Sequence, residues 1–375
     1  MNTSAYKNQS RRAFLQNTAK MCCQAGVCGI VLGTFASSLA AAGNSNTRSI
    51  ASTGSSNGRS AAPGDFEPGY LKLHRTGELK ERGDQLWDLM ENCRTCPREC
   101  GVNRHGGETG YCRSPGTELH ISSAMPHFGE ERPLVGNGGS GTIFLTHCSL
   151  RCVFCQNWEI SHLGRGSQRT IQEMAGYMLQ LQQIGCHNIN MVTPTHYPAF
   201  IVKAVDMAAS KGLRLPIVYN TCGWERLETL SLLDGVVDIY LPDFKFWDSG
   251  LSKELTGRAK TYPEITKKAI LEMHRQVGVA KPDENGIMHR GLMIRHLVMP
   301  NETSGSVEIM EWIAENLPKN TYVNIMSQYN PQHKAYDYPE ISRRITTEEY
   351  DAVVDRAKEL GLTNLDIQRR GWLWR

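Results

Sequence analysis

From about residue 141 the chain alternates two patterns. Short runs rich in apolar and β-branched residues, Thr142–Thr146, Asn188–Thr193, Pro216–Thr221, Val236–Pro242, Leu292–Pro300 and Tyr322–Tyr329, have the character of buried strands. Between them apolar residues recur at helical spacing, as at Ile171, Met174, Met178, Leu181 and Ile184. This predicts helices over Thr170–Ile184, Phe200–Lys211, Glu225–Leu233, Pro263–Val277 and Ser304–Asn316, with Thr346–Leu360 closing the series. Six such units in succession imply an α/β fold with a parallel sheet and right-handed crossovers, either an open barrel or a doubly wound sheet. In both, chemistry gathers where the strands end. Residues 66–140 read as a separate, loop-rich N-terminal region, and 141–375 as the core domain with its C-terminal helix.

Composition narrows the class. With 375 residues, 40% of them apolar and 21% charged, wholesale disorder and a polytopic membrane protein are excluded. The net charge of +3 is unevenly placed. No acidic residue precedes Asp65, whereas Lys7, Arg11, Arg12, Lys20, Arg48 and Arg59 do; taking these six from the 41 Lys and Arg leaves 35 against 38 Asp and Glu. The body is therefore slightly acidic, and no nucleic-acid partner is indicated.

Ser10-Arg11-Arg12-Ala13-Phe14-Leu15 heads a charge-free stretch, Met21 to Ala42, that ends in small residues. Charged head, apolar middle and small-residue end predict a secretory signal over residues 1–42, and the Arg pair resembles the twin-arginine type. A flexible linker over 43–65, rich in Ser, Gly and Asn, follows. The twin-arginine translocase is thus an expected partner, and the periplasm or outer face of the membrane the expected location. As a helix the apolar stretch reaches about 33 Å, enough to span a bilayer of about 30 Å, so a retained anchor or a cytoplasmic protein is the alternative. That route carries folded proteins, which suits a cofactor assembled in the cytoplasm.

The 12 cysteines are clustered. Three lie in the signal segment; Cys93, Cys96, Cys100 and Cys112 form one group, Cys148, Cys152 and Cys155 another, and Cys186 and Cys222 stand alone. A chain of this length does not need a disulfide scaffold, so the groups point to metal. Cys148-x3-Cys152-x2-Cys155, with Phe154 before the last Cys, follows the first core strand. Three thiolates so spaced can hold three corners of a cubane iron–sulfur cluster and leave one iron open; a structural zinc knuckle borrowing a distant fourth ligand, or an electron-transfer cluster, is the alternative. The four-cysteine group lies in a Gly- and Arg-rich segment poor in core residues, which a metal would order. A second [4Fe–4S] cluster is preferred there over zinc.

The three-cysteine loop resembles that of the radical S-adenosylmethionine superfamily. The resemblance extends through Cys96-Pro97-Arg98-Glu99-Cys100-Gly101, Val192-Thr193-Pro194-Thr195-His196-Tyr197, Tyr219-Asn220-Thr221-Cys222-Gly223, Leu241-Pro242-Asp243-Phe244-Lys245, Ile294-Arg295-His296-Leu297 and Val323-Asn324-Ile325-Met326. These segments are similar to iron–sulfur proteins grouped with the pyruvate formate-lyase activating enzymes. The resemblance implies a partial parallel (β/α)6 barrel with a four-cysteine N-terminal extension. It also implies a [4Fe–4S] cluster on Cys148, Cys152 and Cys155 with S-adenosylmethionine on the open iron. Reductive cleavage then gives a 5′-deoxyadenosyl radical that takes hydrogen from a substrate, a protein glycine in the activating enzymes.

Carried over by position, Phe154 packs near the adenine. Thr193 and Thr195 stand where activating enzymes carry a Gly-Gly-Glu-Pro segment for the cofactor's amino group, and the Glu is missing. Asn220 and Thr221 reach the ribose or carboxylate, Asp243 and Lys245 form a D-x-K pair, and Arg295 approaches the cofactor. Cys222, His196 and His296 are weak catalytic candidates, a structural role being at least as expected for each. A low-potential donor of the flavodoxin or ferredoxin kind and a protein substrate are the implied partners. From another class, an exported iron–sulfur electron-transfer or maturation accessory protein is the alternative.

Overall fold

The computed structural model describes residues 66–368. The signal and linker read from residues 1–65 lie outside the described residues. No helix among the described residues is long and apolar enough to cross a membrane.

Helices α1 (Gly69–Thr76) and α2 (Glu78–Asp88) open the described chain. There follow β1 (Leu119–His127), α3 (Arg132–Val135), β2 (Ser140–Leu145), α4 (Trp158–Ser161), β3 (Ser167–Arg169), α5 (Ile171–Ile184), β4 (Ile189–Val192), α6 (Pro198–Ala209) and β5 (Ile217–Thr221). The second half runs α7 (Leu227–Leu233), β6 (Ile239–Pro242), α8 (Ser249–Leu255), α9 (Tyr262–Val277), β7 (Gly291–Leu297), α10 (Ser306–Asn316), β8 (Tyr322–Met326), α11 (Thr347–Glu359) and β9 (Leu365–Ile367). Capping boxes start α5 and α11, where Thr170 and Thr346 accept the N–H of Glu173 and Glu349.

The strands form one sheet in the order β3-β1-β2-β4-β5-β6-β7-β8-β9. Every neighbouring pair from β2 to β9 is parallel, while β1 is antiparallel to both β2 and β3. Because the order never reverses after β2, there is no switch point of the doubly wound kind. The crossovers wind one way and, among the described residues, the end strands β3 and β9 do not pair with each other, giving a partial (β/α) barrel. All six strands expected from the sequence are present.

Residues 66–140 are less irregular than expected. Only the stretch from Leu89 to Glu118 is a long run without helix or strand. Leu71, Leu73, Leu79 and Leu86 are buried although charged residues crowd their helices. They become core through tertiary contact: Trp87 meets Phe200 of α6 edge-on at 5.1 Å, and His74 bonds Asp206 at 2.6 Å. Buried Asp238 accepts the N–H groups of Gly69 and Ile217, each at 3.0 Å, tying α1 to the sheet. Strands β1, β3 and β9 and helix α8 were not expected either; β3 and β9 have three residues each, too few for periodicity to show.

The period of two along each strand sorts the interior. From β5 to β8 the inward positions are apolar at the strand starts, where Val218, Ile239, Met293 and Tyr322 form a small core with Leu134 and Met288. Two residues on, the same faces carry Asn220, Arg295 and Asn324, and four beyond Ile239 stands Asp243. Leu134 of α3 plugs the apolar end, and its carbonyl accepts the Asn188 side chain at 2.8 Å. The barrel is thus closed at one end and polar at the other. Replacing Leu134 with Ala should lower the stability of the folded chain by about 2–5 kcal/mol in chemical denaturation, since the plug has no substitute for the lost volume.

Candidate active site

The loop after β2 carries the three cysteines on a backbone that twice enters the left-handed region, at His147 (φ 68°) and Arg151 (φ 55°). Such positions persist when surroundings over-determine them. Here the Leu150 carbonyl accepts Gly257 N–H (2.8 Å), Val153 N–H donates to the Leu255 carbonyl (2.9 Å), and the Val153 carbonyl accepts Lys334 N–H (2.9 Å). The Arg98 guanidinium donates to the Ser149 carbonyl at 2.9 Å. Pinned in this way, Cys148, Cys152 and Cys155 face a cavity of about 670 Å³ at the polar end of the barrel. Burial pushes the Cys152 and Cys155 thiols up, against the pull of the Lys245 charge and, at Cys155, a Ser161 hydroxyl 3.2 Å away. The Cys148 sulfur accepts Leu150 N–H at 3.4 Å.

The facing wall is an ionic cluster. Asp243 accepts Lys245 Nζ at 2.6 Å and Arg295 Nε at 2.8 Å, and Arg295 also donates to Asn220 Oδ1 at 2.5 Å. Burial alone would raise the Asp243 pKa; the Arg295 and Lys245 charges override it and hold the carboxyl below its ordinary range. The Tyr262 hydroxyl accepts Lys245 N–H at 2.9 Å and shares its proton between the carbonyls of Asp243 (2.8 Å) and Cys222 (2.9 Å). Gly223 is required there: its φ is 80°, and a Cβ would lie 2.3 Å from the Asp243 carbonyl oxygen.

Eleven residues expected at the site share this one cavity: Cys148, Cys152, Phe154, Cys155, Thr193, Asn220, Thr221, Cys222, Asp243, Lys245 and Arg295. Thr193 turns out of β4 with φ 61°, a costly conformation for a β-branched residue. Thr195 is buried behind it and donates to Glu225 Oε1 at 2.5 Å, an oxygen that also accepts the Thr221 hydroxyl. Neither His196 nor His296 lines the cavity. His196 donates to the Thr146 carbonyl at 2.9 Å, and His296 bridges the Phe244 carbonyl (2.7 Å) and Ser306 (2.8 Å). Burial lowers both, to about 3 and about 4, so each is neutral at pH 7. Cys186 is core.

Sequence reasoning missed Glu130 and Glu131, which reach the cavity from the turn between β1 and α3. Glu130 lies 3.6 Å from Arg295, and burial, opposed by that charge, pushes its pKa up to about 7. Glu131 accepts the Asn324 side chain at 2.9 Å. The pair stands in Glu130-Glu131-Arg132-Pro133, at the start of α3, in a stretch read from the sequence as loop. Glu225 was missed as well; burial raises it to about 7 against the Thr195 and Thr221 hydrogen bonds.

The four-cysteine segment gathers its thiols beside the cluster loop. Cys93, Cys96 and Cys112 are buried and Cys100 half-buried. Burial raises the Cys96 thiol well up, and the neighbouring Cys112, Cys93 and Cys100 add to it. Tyr111 N–H and Ser114 N–H point at Cys100 and Cys112 sulfurs, at 3.3 and 3.5 Å. Arg98, between Cys96 and Cys100 in sequence, sits 3.9 Å over the Tyr111 ring and 4.8 Å over Trp224. Gly106–Glu108 belongs to a turn in which Glu108 accepts Asn103 N–H at 2.6 Å.

Residues 142–313 match the family model of the radical SAM superfamily. Two uncharacterized proteins of Methanocaldococcus jannaschii are similar to the chain. One is 36% identical over 75% of this chain and 77% of its own length, the other 22% identical over 71% and 80%. The chain belongs to the radical SAM superfamily. Among solved structures, Streptococcus suis SuiB bound to S-adenosylmethionine (15% identity, TM-score 0.40) and methylornithine synthase (14%, 0.41) each align with 60% of this chain. The chain spans 48% and 63% of their lengths.

Membership implies an enzyme of S-adenosylmethionine radical chemistry with a [4Fe–4S] cluster. The donors fit that group: three thiols on one loop, N–H and hydroxyl donors at two sulfurs, a lysine to offset thiolate charge, and space beside them. Among the described residues no three His, Cys, Asp or Glu side chains converge closely enough to hold a single ion. A cubane, whose thiolates bind different irons, does not require that convergence.

Two changes test the electrostatics. Asp243→Ala leaves Lys245 buried without a carboxylate and Arg295 with Glu130 alone, and should cost about 3–5 kcal/mol of stability in urea unfolding. Glu225 holds its proton more tightly folded than unfolded, so ionisation penalises the native state. The stability of wild type relative to Glu225→Gln should fall as pH rises from 4.5 to about 7, by up to about 3 kcal/mol, and stay level above; taking the difference cancels the buried histidines.

Proposed function

We propose that the protein reductively cleaves S-adenosylmethionine at the Cys148, Cys152 and Cys155 cluster and that the resulting 5′-deoxyadenosyl radical abstracts hydrogen from a substrate bound in the same cavity. The observation that carries this reading is the convergence on one cavity of the cysteine loop with Asp243, Lys245 and Arg295, residues brought from the ends of β6 and β7.

The residues divide the work. Lys245, Arg295 and Asp243 together carry one positive charge, which suits the cofactor's carboxylate and lessens repulsion among thiolates. Phe154, edge-on to Phe246 (5.9 Å) and near Tyr329 (6.1 Å), supplies an apolar wall for the adenine. The carbonyls freed by the turn at Thr193 accept the amino group, and Glu225 steadies the neighbouring Thr195 and Thr221, a support that the missing Glu of the activating enzymes makes necessary. Asn220 is held by Arg295 for the ribose. Cys222 stays a protonated thiol at the cavity edge, because burial and the nearby Cys148 and Glu225 push it up. A protein glycine, as in activating enzymes, is the substrate class we favour.

We further propose that Cys93, Cys96, Cys100 and Cys112 hold a second [4Fe–4S] cluster and that the twin-arginine route exports the folded protein. Iron is favoured over zinc there because the cluster loop already commits the protein to iron–sulfur assembly, and four cysteine ligands would close such a cluster.

After anaerobic reconstitution and reduction with dithionite, wild type should release 5′-deoxyadenosine from S-adenosylmethionine, and Cys152→Ala should release none. Product from the variant, or no product and a cluster spectrum indifferent to the cofactor in wild type, sinks the reading. Iron analysis should find about eight irons in wild type and about four in the triple Cys148/Cys152/Cys155→Ala variant; zinc without iron in that variant would reverse the second-cluster assignment.

A further inference from the structure

The loop bearing the three cysteines has two faces. Leu150, Cys152 and Phe154 line the cavity described above, whereas the intervening Arg151 and Val153 line a second cavity of about 680 Å³ on the other side. This outer cavity is completed by Tyr111, His162, Lys253, Arg258, His333 and Lys334, with Glu254 its single carboxylate. Four cations therefore face one acid. No ion pair among the described residues engages Arg151, Lys253, Arg258 or Lys334, and one Arg151 nitrogen, Nη1, is buried without a partner. On a chain whose body is net acidic, this concentration of unpaired positive charge is a local feature.

The wall between the cavities is crossed by a short chain of contacts. Ser161 Oγ lies 3.2 Å from Cys155 Sγ and 2.9 Å from His162 Nδ1. The His162 ring meets His333 at 4.6 Å, and His333 stacks on Trp158 at 5.1 Å with the planes 14° apart. His162 and His333 line the outer cavity, so aromatic rings lead from solvent to the hydrogen bond at a cluster ligand.

We propose that this outer face docks an acidic one-electron donor protein and that electrons enter the cluster through His333, His162 and Ser161. The inference rests on the function proposed above, which requires the cluster to be reduced by one electron; the donor loses that electron and no bond is made. Charge complementarity selects the partner, because an acidic protein gains from four unpaired cations in long-range attraction and orientation. The inner cavity is left free for cofactor and substrate.

The test measures bleaching of the cluster absorption in the reconstituted full-length protein with two reductants, a photoreduced flavodoxin, which is acidic, and reduced methyl viologen, a small cation. Lys253→Glu/Arg258→Glu should slow reduction by flavodoxin at low ionic strength about tenfold or more, while viologen reduces the variant at least as fast as wild type. Raising the salt should narrow the difference for flavodoxin. An unchanged flavodoxin rate, an equal loss with both reductants, or a wild-type flavodoxin rate indifferent to salt overturns the proposal. If the double variant assembles less iron than wild type, Lys334→Glu alone decides by the same criteria. Failure here is distinguishable from failure of the enzyme reading: viologen-reduced protein that still forms 5′-deoxyadenosine leaves the latter standing.

Discussion

Much of the site hangs on one buried carboxylate. Asp243 receives Lys245 and Arg295 from two strands, and Arg295 in turn reaches Asn220 and Glu130. An isolated charge at this depth would be prohibitively desolvated, so each member is tolerable only because the others are present. The cluster therefore binds the ends of β5, β6 and β7 and the turn before α3 into one geometry. It also leaves a surplus positive charge facing the thiols, in a place where water competes poorly. Position and electrostatics come from the same contacts.

The two-residue period of the strands explains why this polar cluster is permitted inside a barrel. Along the inner faces of β5, β7 and β8, apolar residues at the start close the bottom with Leu134, and polar residues two positions on open the top. The cysteine loop continues the logic, with alternate residues committed to opposite cavities. A thin loop with strained φ angles can serve as a shared wall because Gly257, Leu255, Lys334 and Arg98 hydrogen-bond its backbone from outside. Arg98 links this wall to the four-cysteine segment, packing between Tyr111 and Trp224 while donating to Ser149. Two cysteine groups that are well separated in sequence are in this way mechanically joined.

The strands of the core were legible because each is long enough, and apolar enough, for its pattern to stand out. The cysteine loop was legible because spacing on a short loop restricts what the thiols can hold. Strand ends could be placed too, since a polar residue following an apolar run marks where a strand leaves the core, as at Asn220 and Asp243. Helices α1 and α2 were not legible: their apolar positions are few and become core only against α6. Edge strands β3 and β9 are too short to carry a period. Glu130 and Glu131 were hidden because nothing local distinguishes an acidic turn on the surface from one folded into a cavity.

Local pattern thus determined the succession of strands and helices, the parallel sheet and the three thiols of the cluster loop, because periodicity and short-range spacing are properties of neighbouring residues. The tertiary structure decided what neighbours in sequence cannot express. It showed that His196 and His296 are spent on carbonyls and a serine away from the cavity, while Glu225 stands behind Thr195. It put Glu130 beside Arg295, gathered four cations on the outer face of the cluster loop, and resolved barrel against doubly wound sheet. These outcomes depend on which side chains share a buried volume and pair their charges there, and that is settled only when distant strands close around it.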